Sequence, residues 1–173
     1  SRNMYLYSPT NSDTFYVLDW DNDGMLMRKE YEIKQRSDGK SWENGISNYW
    51  GNMLFSRCLQ TKSFRTALDK AIKDEYKYMN ANRINSMVKH YRSITEQYVW
   101  KMPDSMYEGV TKSQYDVIAN QLYSEIEQNY QTYQTGFNKP MPFYIGTPTP
   151  TNGKLKLNWD ISYDFNDEDL RYT

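Results

Sequence analysis

The stretch "LDWDNDGM", Leu18 to Met25, sets three aspartates two apart and closes on a glycine. The residues leading into it, "TFYVLDW" (Thr14 to Trp20), are aromatic and β-branched and read as a strand. The aspartates therefore leave the end of a strand, where loops carry function. Upstream, "MYLYS" (Met4 to Ser8) is a second strand, and the turn formers "PTNSD" join the two into a β-hairpin. Downstream, a polar loop runs from about Tyr31 to Gly45 and contains "RSDGKSWENG".

Beyond Gly45 the hydrophobic period changes to 3.6. Ile46, Tyr49, Trp50, Met53, Leu54 and Cys58 share one helical face. Phe64, Leu68, Ala71, Ile72, Tyr76 and Met79 mark a second helix, with Thr61 or Ser63 as its N-cap. Ile84, Met87, Val88, Tyr91, Ile94 and Tyr98 mark a third, stopped by Pro103. Tyr115, Ile118, Leu122, Ile126, Tyr130 and Tyr133 mark a long fourth that ends near Gly136. Four amphipathic helices in series imply a packed helical domain.

"GTPTPTNG", residues 146–153, reads as a proline-rich linker, which makes 1–145 one domain. The period then falls to 2: Leu155, Leu157 and Trp159 alternate with Lys154, Lys156 and Asn158. This is a half-buried strand opening a second domain over 154–173. It resembles the start of a fibronectin type III-like sandwich, with Trp159 in its core and Tyr172 in a later strand. The expected fold class is α+β: a hairpin leading into a mostly helical lobe, then a short β segment.

Composition narrows the function. The chain has 173 residues, 21 Lys and Arg against 22 Asp and Glu, and no basic excess to attract nucleic acid. No apolar run approaches the ~20 residues a membrane span needs. A single cysteine, Cys58, excludes an internal disulfide framework and a cysteine zinc site. Cys58 sits on the apolar face of its helix and reads as inert core. His90, the only histidine, lies off the stripe of its helix and reads as an exposed surface residue. Serine and cysteine nucleophiles lack a partner, because His90 is the only candidate base and sits on a separate helix. The 17 tyrosines at helical spacing read as core before sugar platform. The chain opens at Ser1 without methionine and ends at Thr173 in what reads as a strand, so we expect a piece of a longer protein.

The aspartates read either as a charged turn with no tight ion or as a site for one of two cations. Asp19, Asp21, Asp23, Gly24 and Glu30 satisfy D-x-[DN]-x-[DN]-G-x5-E. In a calcium loop of this kind the aspartates and Glu30 give carboxylate oxygens, and Met25 its carbonyl. An EF-hand, however, needs a helix on each side of the loop and usually a second loop. Here a strand precedes it and no second loop exists. Trp20 reads as a core plug beside the loop.

The second reading rests on a resemblance. "RNMYLY" (Arg2 to Tyr7), "YVLDWDNDGM" (Tyr16 to Met25) and the helices from Ile46 to Phe137, in that order, resemble the C-terminal half of the CotH-type protein kinases, the spore coat protein H family. Two positions depart from the family: its usual proline before Trp20 is Asp19, and its frequent glycine after "GML" is Met27. The resemblance implies ATP- and magnesium-dependent phosphoryl transfer in the parent protein, onto a protein substrate. It implies Asp21 as the magnesium-holding aspartate and Asn3 as the asparagine on a second cation. Asp23 would be a further ligand or a carboxylate just behind the ligands. The family's ATP-gripping lysine and catalytic aspartate would lie before Ser1, so this piece alone is expected to be inactive. A bacterial envelope or secreted location is expected. Two other classes stay open: a calcium-stabilised extracellular binding module, and a coat or structural protein that keeps the kinase shape without its activity.

Overall fold

The computed structural model describes residues 4–20, 45–107, 109, 111–166 and 169–172. The chain divides into two units, Ser1–Lys34 and Gln35–Thr173. The architecture is α+β: two small antiparallel strand pairs and a helical majority.

In the first unit, β1 (Met4–Tyr7) pairs with β2 (Tyr16–Asp19). The register sets Met4 opposite Asp19, Tyr5 opposite Leu18, Leu6 opposite Val17 and Tyr7 opposite Tyr16. The turn between them closes by Ser12 N–H donating to Pro9 O at 3.2 Å and Thr14 N–H to Ser12 Oγ at 3.1 Å. Alternation puts Tyr5, Tyr7, Tyr16 and Leu18 on one face and Leu6 and Val17 on the other. All six are exposed. The ribbon is thus apolar on both sides.

In the second unit the first expected helix is two. Helix α1 (Ser47–Trp50) stops at Gly51, and α2 (Met53–Gln60) restarts after Asn52. The Asn52 side chain accepts hydrogen bonds from Leu54 N–H at 3.0 Å and Phe55 N–H at 3.3 Å. A short polar side chain that bonds nearby backbone breaks a helix interior but caps a new one. The buried residue of α2 is Leu59; Cys58 is only half-buried. Thr61 separates α2 from α3 (Lys62–Tyr78) in extended backbone. It holds the expected N-cap position, yet its hydroxyl donates back to Arg57 O and makes no cap bond.

Asn80 caps α4 (Ala81–Val99) by accepting from Arg83 N–H at 3.1 Å. A capping box of Thr111 and Gln114 starts α5 (Lys112–Gly136). Arg92 pairs with Asp116, and Lys112 with Glu96, tying α4 to α5. This join changes which side of α4 faces inward. Ile84 is buried and Val88, Arg92 and Glu96 are half-buried, four residues apart each time. Met87, Tyr91, Ile94 and Tyr98, expected in the stripe, remain exposed. The Lys112 ammonium holds the Glu96 carboxyl below its usual range, against the opposing effect of burial.

The core lies where α2, α3 and the end of α5 meet the returning chain. Ile46, Leu59, Tyr133 and Met141 form it, flanked by Trp50, Leu68, Ile72, Phe137, Tyr163 and Phe165. A Cβ on Gly136 would come within 3.0 Å of Ile46 Cγ1, so glycine is what admits Ile46 here. Tyr76 and Tyr130 stack across α3 and α5, with centroids 4.0 Å apart and planes within 6°.

Residues 146–153, read above as a linker, carry one arm and the turn of a hairpin. β3 (Thr149–Thr151) pairs with β4 (Lys154–Lys156) around Asn152–Gly153. The pairing resumes at Ile145 opposite Trp159. Between Thr149–Lys156 and Ile145–Trp159 one arm spends four steps and the other three, which is a β-bulge, and Pro148 with its missing N–H falls in it. Leu155, Leu157 and Trp159, expected in a sandwich core, are exposed at 66, 55 and 47%. Trp159 leans on Tyr172, which also meets Phe143 edge-on and accepts from Ser162 N–H. Tyr163 and Phe165 then pack on Trp50. The described residues of this segment form a hairpin and a return onto the helices, and contribute no sandwich.

Two substitutions separate packing from polarity in this core. Met141→Ala should destabilise the helical unit by about 2–5 kcal/mol in a urea titration, the usual loss for a buried Met. Tyr133 is buried, its hydroxyl has no hydrogen-bond partner among the described residues, and burial raises its pKa. Tyr133→Phe should therefore leave stability unchanged or raise it by up to about 1 kcal/mol, because an unpaired polar group leaves the core. A large loss for Tyr133→Phe would show that the hydroxyl has a partner.

The depressed Glu96 pKa sets a pH dependence. Its contribution is present above the ordinary carboxylate pKa and is lost as pH falls through the lowered folded value. Glu96→Gln should flatten the acid side of the stability profile slightly, measured by thermal melts from pH 6 downward, since a pair this exposed is weak.

Candidate functional site

The hairpin register decides how the predicted ligands could meet. Met4 and Asp19 stand opposite one another, so the start of β1 lies beside the end of β2. Two segments that flank these strand ends in sequence, one carrying Asn3 and the other Asp21 and Asp23, leave from neighbouring points. Asn3, Asp21, Asp23, Met25 and Glu30 themselves lie outside the described residues. Asp19 is described: it is the last residue of β2 and is exposed. The donor set, two carboxylates and an amide oxygen, is hard oxygen throughout and suits magnesium or calcium.

The described flank bears on the EF-hand form of the calcium reading. The element entering the loop is β2, an extended strand that ends at Asp19, where an EF-hand would have a helix. Trp20 is half-exposed and stacks on Tyr5 with centroids 6.1 Å apart and planes 26° apart. It therefore extends the aromatic face of the ribbon; it was expected to plug a core.

Elsewhere the described residues offer little to a reaction. Among them no three His, Cys, Asp or Glu cluster as metal ligands. His90 is exposed as expected, its ring edge-on to Tyr91 at 5.4 Å. No described helix is long and apolar enough to cross a membrane. A shallow cleft lined by Ser93, Glu96, Gln97, Trp100, Lys101 and Lys112 was not anticipated. Its charged walls are the ion pair that ties α4 to α5, and Lys112 also lies 5.9 Å from the Trp100 ring. The sequence signal was present in the i, i+4 pair Arg92 and Glu96, which is bridged at 3.5 Å.

The model of the CotH kinase protein family matches residues 1–133, and the chain belongs to that family. No curated protein and no solved structure matches it.

The ribbon's aromatic face can be checked directly. Tyr5 and Trp20 should couple by about 0.2–1 kcal/mol in a double-mutant cycle of Tyr5→Ala and Trp20→Ala, the range for cross-strand aromatic pairs. Additive single effects would mean that the rings do not support one another.

Proposed function

We propose that this chain supplies the cation-holding half of a CotH-type kinase site. In the longer protein it would support ATP- and magnesium-dependent phosphoryl transfer to a protein substrate, in a secreted or envelope setting. The observation that supports this most is the register of β1 and β2 in a chain of this family: it juxtaposes the strand ends from which Asn3 and Asp21 depart. Asp21 and Asn3 would hold the cations, with Asp23 as a further ligand or behind them. Magnesium held by these residues would supply charge neutralisation for a phosphoryl group. The chain's own part is to fix a carboxylate and an amide oxygen at the mouth of a two-stranded ribbon. Asp19, in place of the family's usual proline, adds negative charge beside them.

The test uses the longer protein and isothermal titration with magnesium and ATP, alongside a phosphoryl-transfer assay. Asp21→Ala should abolish magnesium-dependent nucleotide binding and transfer. Asp23→Ala should lower them by about 10–100-fold if its carboxylate only orients the ligands. Glu30→Ala should change neither. The calcium alternative is distinguished by melting. If millimolar calcium raises the melting temperature clearly and Glu30→Ala removes that rise while nucleotide binding ignores Asp21, the loop is a calcium site and the kinase assignment of these ligands fails.

A further inference from the structure

The turn between β3 and β4 is Asn152–Gly153, with φ of 50° and 74°. A two-residue loop with both φ values positive is a type I′ turn, the form that suits asparagine followed by glycine. Both residues are exposed. Among the described residues nothing hydrogen-bonds the Asn152 side chain or the Gly153 N–H. A Cβ placed on Gly153 would meet nothing within 4 Å, so no other described segment packs over this turn to hold it closed.

The sequence holds one other Asn-Gly pair, Asn44–Gly45. Its glycine is in a different situation. A Cβ on Gly45 would lie 3.2 Å from both Cγ2 and the carbonyl oxygen of Thr132, so this glycine is packed against α5. The same dipeptide thus occurs once in the open and once with its glycine held against a helix.

We propose that Asn152–Gly153 is a spontaneous deamidation site, selected over Asn44–Gly45 by the fold. Hydroxide removes the proton from the Gly153 amide nitrogen, which attacks Asn152 Cγ. The new N–Cγ bond forms, the Cγ–Nδ2 bond breaks, and ammonia leaves. Water then opens the resulting five-membered imide. Attack at Cγ gives aspartate; attack at the Asn152 backbone carbonyl carbon gives isoaspartate, with the chain rerouted through the side chain. No oxidant or cofactor takes part.

The consequence follows from the turn type. Isoaspartate adds a methylene to the backbone of a loop that has only two residues. The geometry that sets Thr151 opposite Lys154 then fails, and the two pairings beyond it lose their anchor. Both products also add one negative charge beside Lys154. The folded turn restrains Asn152, so reaction proceeds through opening of the hairpin. That opening is easy, because only three pairs hold the tip.

The experiment incubates the protein at mildly alkaline pH and follows each asparagine by peptide mass spectrometry, with isoaspartyl methyltransferase labelling of the products. Asn152 should convert severalfold faster than Asn44 and than Asn120 and Asn129 on α5. In concentrated urea the two Asn-Gly pairs should convert at similar rates. Isoaspartate at 152 should speed amide exchange in 149–156, whereas Asn152→Asp, which keeps the normal backbone, should not. Equal rates for Asn152 and Asn44 in the folded protein would overturn the proposal. So would a difference that persists unchanged in urea.

Discussion

Met141 closes the helical unit. It is the most deeply buried large side chain described, 2% exposed, and it belongs to no helix. Its N–H donates to Tyr163 O at 2.8 Å and its carbonyl accepts from Ser162 Oγ at 2.5 Å. One residue thus fills the gap among Ile46, Leu59 and Tyr133 and anchors both arms of the segment that returns from α5. The aromatic cluster of Trp50, Phe137, Tyr163 and Phe165 forms around that anchor. Without the return, α2 would keep its packing on α3, but Trp50 of α1 would lose Tyr163 and Phe165.

The first unit has no such anchor among its described residues. A two-stranded ribbon is marginal in water by itself, and this one exposes Tyr5, Tyr7, Tyr16 and Leu18 on one face and Leu6 and Val17 on the other. Its cohesion comes from four backbone-paired positions and from ring contacts such as Tyr7 on Tyr16, 6.5 Å between centroids. The same pairing fixes where the acidic loop leaves the strand.

Much of this was legible in the residues. The alternation around "TFYVLDW" and the turn formers before it specify the hairpin and its ends. The 3.6 periodicity located all the long helices, and Pro103 and Gly136 marked ends correctly. What periodicity missed was decided by local side-chain bonding or by a partner. Asn52 split a helix because its carboxamide caps the next turn. The inward side of α4 shifted because Arg92 and Glu96, invisible to a hydrophobic pattern, reach α5. The 146–153 stretch looked like a linker because its prolines and threonines dominated; Asn152–Gly153 was the turn signal inside it. The candidate cation ligands were named from motif spacing and resemblance, and of that set Asp19 is the residue the structure describes. The register supplies the adjacency of the strand ends that spacing alone could not give.

Helix α5, 25 residues and about 37 Å long at ~1.5 Å per residue, is joined to its neighbours by two unlike fastenings. At its start Lys112 and Asp116 meet charges of α4; at its end Tyr133 and Gly136 meet apolar side chains. Ionic joints loosen as salt rises, whereas contacts of the apolar kind hold or tighten. One rigid rod thus carries a fastening that ionic strength can slacken at one end and one that it cannot at the other. Added salt therefore weakens the ionic part of the joint at the start of α5, while the Trp100–Tyr115 ring contact beside it and the apolar seat at the far end persist.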